Sequence, residues 1–279
     1  MKKITDRIFY VGVNDRVTHL FERLWSLRRG GSYNSYVIAD EKIAVVDTVE
    51  VAYASAFMQN IEKAAGGRPV DYLIVNHMEP DHSGSIAALR QRYPQMQIVG
   101  NAKTLQMIKG YYGICENLLE VSDGSTLSLG SETLTFYLAP MVHWPEVMMT
   151  YEKKDGILFS ADAFGCFGAL NGAIFADEVD FDRDYLDEAR RYYTNIVGKY
   201  GSMVTSALKK ASAFDIKMIC SLHGFVWRKN IGYFIEKYMK WATYTPEEKG
   251  VMIAYASIYG NTEIMGKLSR YQILCLFLS

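Results

Sequence analysis

Six consecutive residues, His77-Met78-Glu79-Pro80-Asp81-His82, hold four side chains able to bind a metal ion. Histidine is scarce in this chain, five among 279 residues, and two of the five fall here. In an extended segment alternate residues share a side, so His77 and Glu79 can face one ion together. A bend at Pro80 would then turn Asp81 and His82 toward a second. Three further polar residues stand where apolar runs give out: His143 in Val142-His143-Trp144-Pro145, Asp162 in Ser160-Ala161-Asp162-Ala163, and His223 in Leu222-His223-Gly224. Taken singly, each reads as a hydrogen-bonded histidine or a helix-capping aspartate; with the 77–82 cluster they read as one shared metal site. Imidazoles and carboxylates without a thiolate suit iron, manganese or zinc. Seven ligands exceed the four of a structural zinc site, whereas two ions about 3.5–4 Å apart, bridged by one carboxylate, account for all of them. Bridging hydroxide or substrate would offset further charge, which favours a cluster that changes oxidation state.

These residues need strands that end together. Segments 8–13, 33–39 and 42–47 read as strands, the last two joined as a hairpin through Asp40-Glu41. Residues 51–65 read as a helix closed by Gly66-Gly67, and 70–75 as a strand buried on both faces, immediately before His77. A helix over 83–93, a strand over 96–99 and a short helix over 104–110 follow. Strands again fill 133–161, with a turn at Lys153-Lys154-Asp155-Gly156. Helices over 185–197 and 203–213, a strand over 217–222 and a helix over 231–241 complete a layered α/β sandwich of about 240 residues. The charge balance, 30 basic against 31 acidic residues, excludes broad nucleic-acid or anionic-membrane binding. No apolar run reaches the roughly 18–20 residues of a membrane span. The charged N-terminus lacks the apolar core of a signal peptide, and the four cysteines form no Cys-x-x-Cys pair, so a cytoplasmic location is expected.

The pattern His77-x-Glu79-x-Asp81-His82, then His143, Asp162 and His223, resembles the metallo-β-lactamase superfamily with one change, Glu79 where its hydrolases carry histidine. That change, with Trp144-Pro145 after His143 and Asp162-Ala163-Phe164-Gly165, is similar to the flavodiiron proteins, cytoplasmic reductases of dioxygen or nitric oxide. The resemblance covers residues 1 to about 250. It implies an αββα sandwich with two iron ions at its edge: His77, Glu79 and His143 on one, Asp81, His82 and His223 on the other, and Asp162 bridging. It also implies a head-to-tail homodimer, a rubredoxin or flavoprotein electron donor, and FMN supplied by a flavodoxin domain. Two rival readings are a zinc-dependent hydrolase of the same fold and a catalytically silent metal-binding fragment. His19 reads either as a surface residue or as a hydrogen-bond donor behind the ligands. Tyr192 and Tyr193 read as core or interface residues, with a phenol beside substrate as the alternative.

The diiron domain is expected over residues 1–242, a polar linker over 243–250, and an incomplete flavodoxin-like segment over 251–279. Residues 251–256 read as its first strand, followed by one helical turn or two. Ser257, Tyr259, Gly260, Asn261 and Thr262 resemble the loop that cradles the FMN phosphate at a helix N-terminus. The apolar ending after Leu268 reads as truncation or a shifted reading frame, so FMN is not expected to be retained.

Overall fold

A computed structural model describes the backbone of residues 2–278 and the side chains of residues 2–270. The chain separates into two compact units, Met1–Thr245 and Pro246–Ser279.

The first unit is built on two sheets. One has seven strands whose spatial order follows the chain: Lys2–Lys3, Ile8–Tyr10, Tyr36–Ala39, Ile43–Val46, Tyr72–Ile74, Gln97–Gly100 and Leu118–Glu120. The last four run parallel, and Val45, Leu73 and Ile98 are fully buried, as a strand covered on both faces requires. The second sheet orders Thr126–Ser128, Thr133–Leu138, Met148–Glu152, Ile157–Phe159 and Met218–Cys220, with the last pair parallel. Helix Ala54–Ala65 packs on Tyr36–Ala39, and helix Ala102–Tyr112 on the strands at 97–100 and 118–120. Helices Leu186–Tyr192, Gly201–Ala211 and Ile231–Ala242 belong to the other outer layer, where Phe234 and Tyr238 stack near Phe164. This is the expected αββα sandwich. Gly66 and Gly67 close the first helix in left-handed backbone, as anticipated.

Two single strands anticipated from apolar pattern are each split. Segment 8–13 divides into Ile8–Tyr10, in the large sheet, and Val13–Asp15, in a ribbon with Gly31–Tyr33; segment 33–39 divides at Asn34-Ser35. The cause is a close approach. A Cβ on Gly12 would lie 2.5 Å from the Tyr33 carbonyl oxygen, so only glycine lets the two chains leave the sheet side by side. Among the described residues, the hairpin Leu20–Phe21 with Trp25–Ser26 and the strands at 118–120 and 126–128 are additions to the sequence reading.

The second unit departs further from expectation. Residues 251–256 join no ladder among the described residues, and Val251, Met252, Ile253 and Tyr255 are exposed. A short apolar run alone does not make a strand, which needs a partner to satisfy its backbone. The helix is longer than one or two turns: it runs from Asn261 to Leu278. Gly260, in left-handed backbone, leads into it from the loop of Ser257 and Tyr259. The apolar side chains of the ending, from Tyr271 onward, lie outside the described residues. No described helix is long and apolar enough to cross a membrane.

The second sheet also buries an acidic pair, Glu152 at the end of Met148–Glu152 and Glu132 just before Thr133–Leu138. Glu132 and Glu152 are 1 % and 0 % exposed; Lys154 Nζ lies 3.0 Å and Arg7 Nη1 3.5 Å from Glu132 Oε1. Burial pushes Glu152 up to about 7; the backbone N–H groups of Asp155 and Lys154 oppose it, and the adjoining Glu132 carboxyl reinforces it. The folded state therefore holds this proton more tightly than the unfolded chain. Its contribution is present below the ordinary value of 4.5 and lost as pH rises through about 7. Glu152→Gln should flatten that loss: urea midpoints from about pH 5 to pH 8 should fall in the parent and fall less in the variant. Parallel curves would refute this assignment.

Candidate metal centre

Parallel strands place their carboxyl ends on one rim, and loops leaving that rim carry the polar residues. The strand Tyr72–Ile74 delivers Asn76 and His77, Ile157–Phe159 delivers Asp162, and Met218–Cys220 delivers His223. His143 comes from the loop between Thr133–Leu138 and Met148–Glu152, and Pro80 starts a one-turn helix carrying Asp81 and His82. All seven expected residues converge in two groups: His77, Glu79, His143 and Asp162, and beside them Asp81, His82 and His223.

In the first group Glu79 Oε2 lies 3.2 Å from His77 Nε2 and 3.0 Å from His143 Nε2, and Asp162 Oδ2 lies 3.0 Å from the same His143 atom. In the second, Asp81 Oδ2 lies 3.2 Å from both His82 Nε2 and His223 Nε2. Asp162 joins them: its other oxygen, Oδ1, is 3.3 Å from His82 Nε2 and 3.8 Å from His223 Nε2. One carboxylate thus presents an oxygen to each group.

The donor set fits a pair of cations. Both oxygens of Asp81, Oδ1 of Asp162 and Nδ1 of His82 are buried without a hydrogen-bond partner, and the Nε2 atoms of His82 and His223 face each other at 2.8 Å. Leaving so many buried polar atoms unsatisfied is costly unless ions take them. Without ions, protons hold the cluster together. Burial would lower the His77 imidazolium, but Asp162, Glu146 and Glu79 hold it well above its ordinary value. His143, opposed likewise by burial, is raised to about 9 by Asp162 and Glu79. Burial and Asp81 work against ionised Glu79, yet His143 and His77 bring it down to about 2. Asp162 falls well below the carboxylate range despite its burial, because four imidazoles surround it.

Several residues that support this cluster were not marked by the sequence. Glu146 Oε1 lies 2.9 Å from His77 Nδ1, and the Ser32 carbonyl accepts from His223 Nδ1–H at 2.7 Å. Each leaves Nε2 free for the centre, the usual way a ligand ring is oriented from behind. Asp47, in left-handed backbone, accepts from the backbone N–H groups of Asn76 and His77. Asn34 ties the first sheet to the last loop: its Nδ2 donates to the carbonyls of Ser221 and Gly224, both at 2.9 Å. Met141 and Ala161, beside the ligand positions, also adopt left-handed backbone, strain of the kind that functional loops carry. Glu22, exposed on the short hairpin, is pushed up to about 7 by partial desolvation and the negative charge of Glu79. Paired Glu and Asp side chains are so common that only their convergence marks these residues.

Tyr192 proves to be next to the centre, while Tyr193 packs on Tyr238 and Trp241. The Tyr192 ring sits 5.3 Å from that of His223, and its buried hydroxyl has no partner. A Cβ on Gly165 would fall 2.5 Å from this ring, so glycine there admits it. His19 is exposed and lies outside both ligand groups; its carbonyl accepts from Leu27 N–H. Of the two readings of His19, the surface one holds: residues 16–20 are exposed.

Comparison with known proteins agrees with this geometry. A family model described as "ODP family beta lactamase" matches residues 32–224. The chain is 36 % identical over 267 residues to an anaerobic nitric oxide reductase flavorubredoxin of Aliivibrio fischeri, covering 94 % of this chain and 53 % of the relative. It therefore spans about half the length of the curated relatives it matches. Among solved structures, the flavodiiron protein from Giardia intestinalis superposes with a TM-score of 0.82 at 32 % identity, over 86 % of this chain and 59 % of that one. The rubredoxin oxygen:oxidoreductase of Desulfovibrio gigas gives 0.82 at 29 % identity, over 87 % and 61 %. The rim-bound cluster, the αββα layers and these matches together place the chain in the flavodiiron protein family, through its ODP-type β-lactamase-like domain.

Proposed function

We propose that this chain is the diiron core of a gas reductase, acting on nitric oxide, dioxygen or both. His77, Glu79 and His143 would hold one iron and Asp81, His82 and His223 the other, with Asp162 shared between them. The observation that carries this reading is the Glu79 carboxylate seated between two imidazoles, where the related hydrolases use a third histidine. The names of the relatives, nitric oxide reductase and rubredoxin oxygen:oxidoreductase, support the choice of gases. When bound, the irons supply electrons and open coordination positions. The protein does the rest: Glu146 and Ser32 fix ring orientation, and Phe21, Phe167 and Tyr192 wall His223 from water.

Electrons would come from a rubredoxin or a flavoprotein, within a head-to-tail homodimer. Ser257, Tyr259, Gly260, Asn261 and Thr262 would serve as an FMN phosphate loop where a complete flavodoxin fold surrounds them.

Metal analysis with anaerobic gas consumption tests the proposal. Protein from unsupplemented medium should carry about two irons per chain, and its reduced form should consume nitric oxide or dioxygen. Two zinc ions with esterase or thioesterase activity would replace it with the hydrolase reading. Metal-loaded, reduced protein inert to both gases would leave only a silent metal-binding chain.

A further inference from the structure

The ribbon of Val13–Asp15 with Gly31–Tyr33 ends on the pair Asp15 and Gly31. Arg16 leaves one strand there, and Arg28-Arg29-Gly30 leads into the other. Gly30 lets the two chains run this close: its φ is +71°, and a Cβ on it would fall 2.3 Å from the Asp15 carbonyl oxygen. Three arginines are thereby gathered around one cleft of about 470 Å³, within the range of small-molecule sites. Thr18, His19 and Asn171 complete its polar wall, and no carboxylate lines it.

Like charges brought together repel unless a counter-charge meets them. Asp15 does not supply one. Its carboxylate is buried, with Oδ1 accepting from the backbone N–H groups of Val17 and Thr18 and Oδ2 from the Tyr33 hydroxyl. Asp184 is engaged by Arg183, at 3.2 and 2.8 Å. Among the described residues none of the three guanidinium groups lining the cleft forms an ion pair. Two of them are nevertheless held in place. Arg16 Nη2 donates to the Leu170 carbonyl at 3.2 Å and to Asn171 Oδ1 at 2.8 Å, and Arg29 lies 5.4 Å from the centre of the Tyr185 ring. The Arg29 carbonyl accepts from Ala169 N–H at 2.9 Å, which fastens the same loop to the cleft. Neutral partners orient these cations without cancelling their charge, so a ligand meets them already arranged.

We infer that Arg16, Arg28 and Arg29 form a binding site for a small organic phosphate, separate from the metal centre, with the phosphate group seated among the three guanidinium groups. The fit is one of shape as well as sign, because the guanidinium fork matches phosphate oxygens two at a time. The cleft has room for more than the phosphate alone, and Leu27 offers an apolar contact to the rest of the molecule. The inference does not rest on the diiron reading.

Calorimetric titration of the full chain with phenyl phosphate at about pH 8, where that group is a dianion, tests the site. One equivalent should bind saturably, and benzenesulfonate, which carries a single charge, should bind more weakly. Arg28→Ala and Arg29→Ala should each weaken phenyl phosphate by about tenfold. Arg28→Lys, which keeps the charge but not the fork, should also lose affinity. Both positions are exposed, so the unliganded variants should melt within about 2 °C of the parent. Absence of saturable binding at millimolar phenyl phosphate would overturn the inference. Binding that survives both alanine variants would overturn it too, by sending the ligand elsewhere, the metal centre included. Equal affinity for benzenesulfonate, or full affinity in Arg28→Lys, would replace a phosphate site with a diffuse positive surface. Retention on immobilised oligo-aspartate without phenyl phosphate binding would overturn it in favour of an acidic protein partner.

Discussion

Asp162→Ala protein should retain fewer than two metal ions per chain and lose gas-reducing activity by at least about 100-fold. The scale follows from supporting residues, whose removal already costs about 10- to 100-fold, and Asp162 is closer to the centre than any of those. The reason is its double engagement. Oδ2 serves the His77–Glu79–His143 group and Oδ1 the Asp81–His82–His223 group. Alanine removes the shared anion, and nothing else in the cluster reaches both sides. The metal-free variant should also unfold more easily, by about 3 kcal/mol, the usual cost of taking one partner from a buried charged set. Asp162→Asn separates shape from charge: it fills the same space but offers one neutral oxygen. Metal content, gas consumption and urea midpoint measured on the same preparations check this, and an alanine variant with two ions and parental turnover would falsify the bridging role.

Stripping the metal should expose a second effect, with a sign set by pH. In the metal-free protein His143 is raised from 6.5 to about 9, so its stabilising contribution is complete below 6.5 and lost as pH rises through about 9. Glu79 is lowered from 4.5 to about 2, so its contribution is present above 4.5 and lost as pH falls through about 2. Both groups thus favour the stripped protein between about pH 4.5 and 6.5; above that range Glu79 keeps its contribution and His143 withdraws its own. Metal binding runs the other way, since imidazoles must shed their protons to ligate. The gap in melting temperature between loaded and stripped protein should therefore widen from about pH 6.5 to pH 9. With free metal at about 1,000 times the dissociation constant, stabilisation of about 4 kcal/mol corresponds to roughly 10 °C. Paired thermal scans across that range decide it; a gap that is constant or shrinks with pH would contradict the protonated cluster.

The seven clustered residues were legible because scarce residue types stood at the ends of apolar runs, and strand ends are where an α/β scaffold gathers its loops. The layers were legible from apolar runs: 70–75, apolar but for Asp71 and too short for a helix, reads as an interior strand. What escaped was what depends on a partner distant in sequence. Glu146 is an ordinary glutamate until it meets His77, and Ser32 matters through a carbonyl that every residue possesses. The break at Gly12 reflects a chain passing alongside Tyr33, which no local pattern records. Residues 251–256 show the converse case, an apolar run that joins no ladder among the described residues because no neighbouring strand is there to pair with it.

Burial of the cluster has a kinetic side. Asp162 and His82 are wholly enclosed, while Glu79 and His143, each 7 % exposed, are the slightly open side of their group. An ion held among such enclosed donors would offer little surface for a bulky sequestering agent to grasp in place. Such an agent would then collect only what the protein releases, and loss of a bound ion should proceed at a rate independent of the competitor's strength.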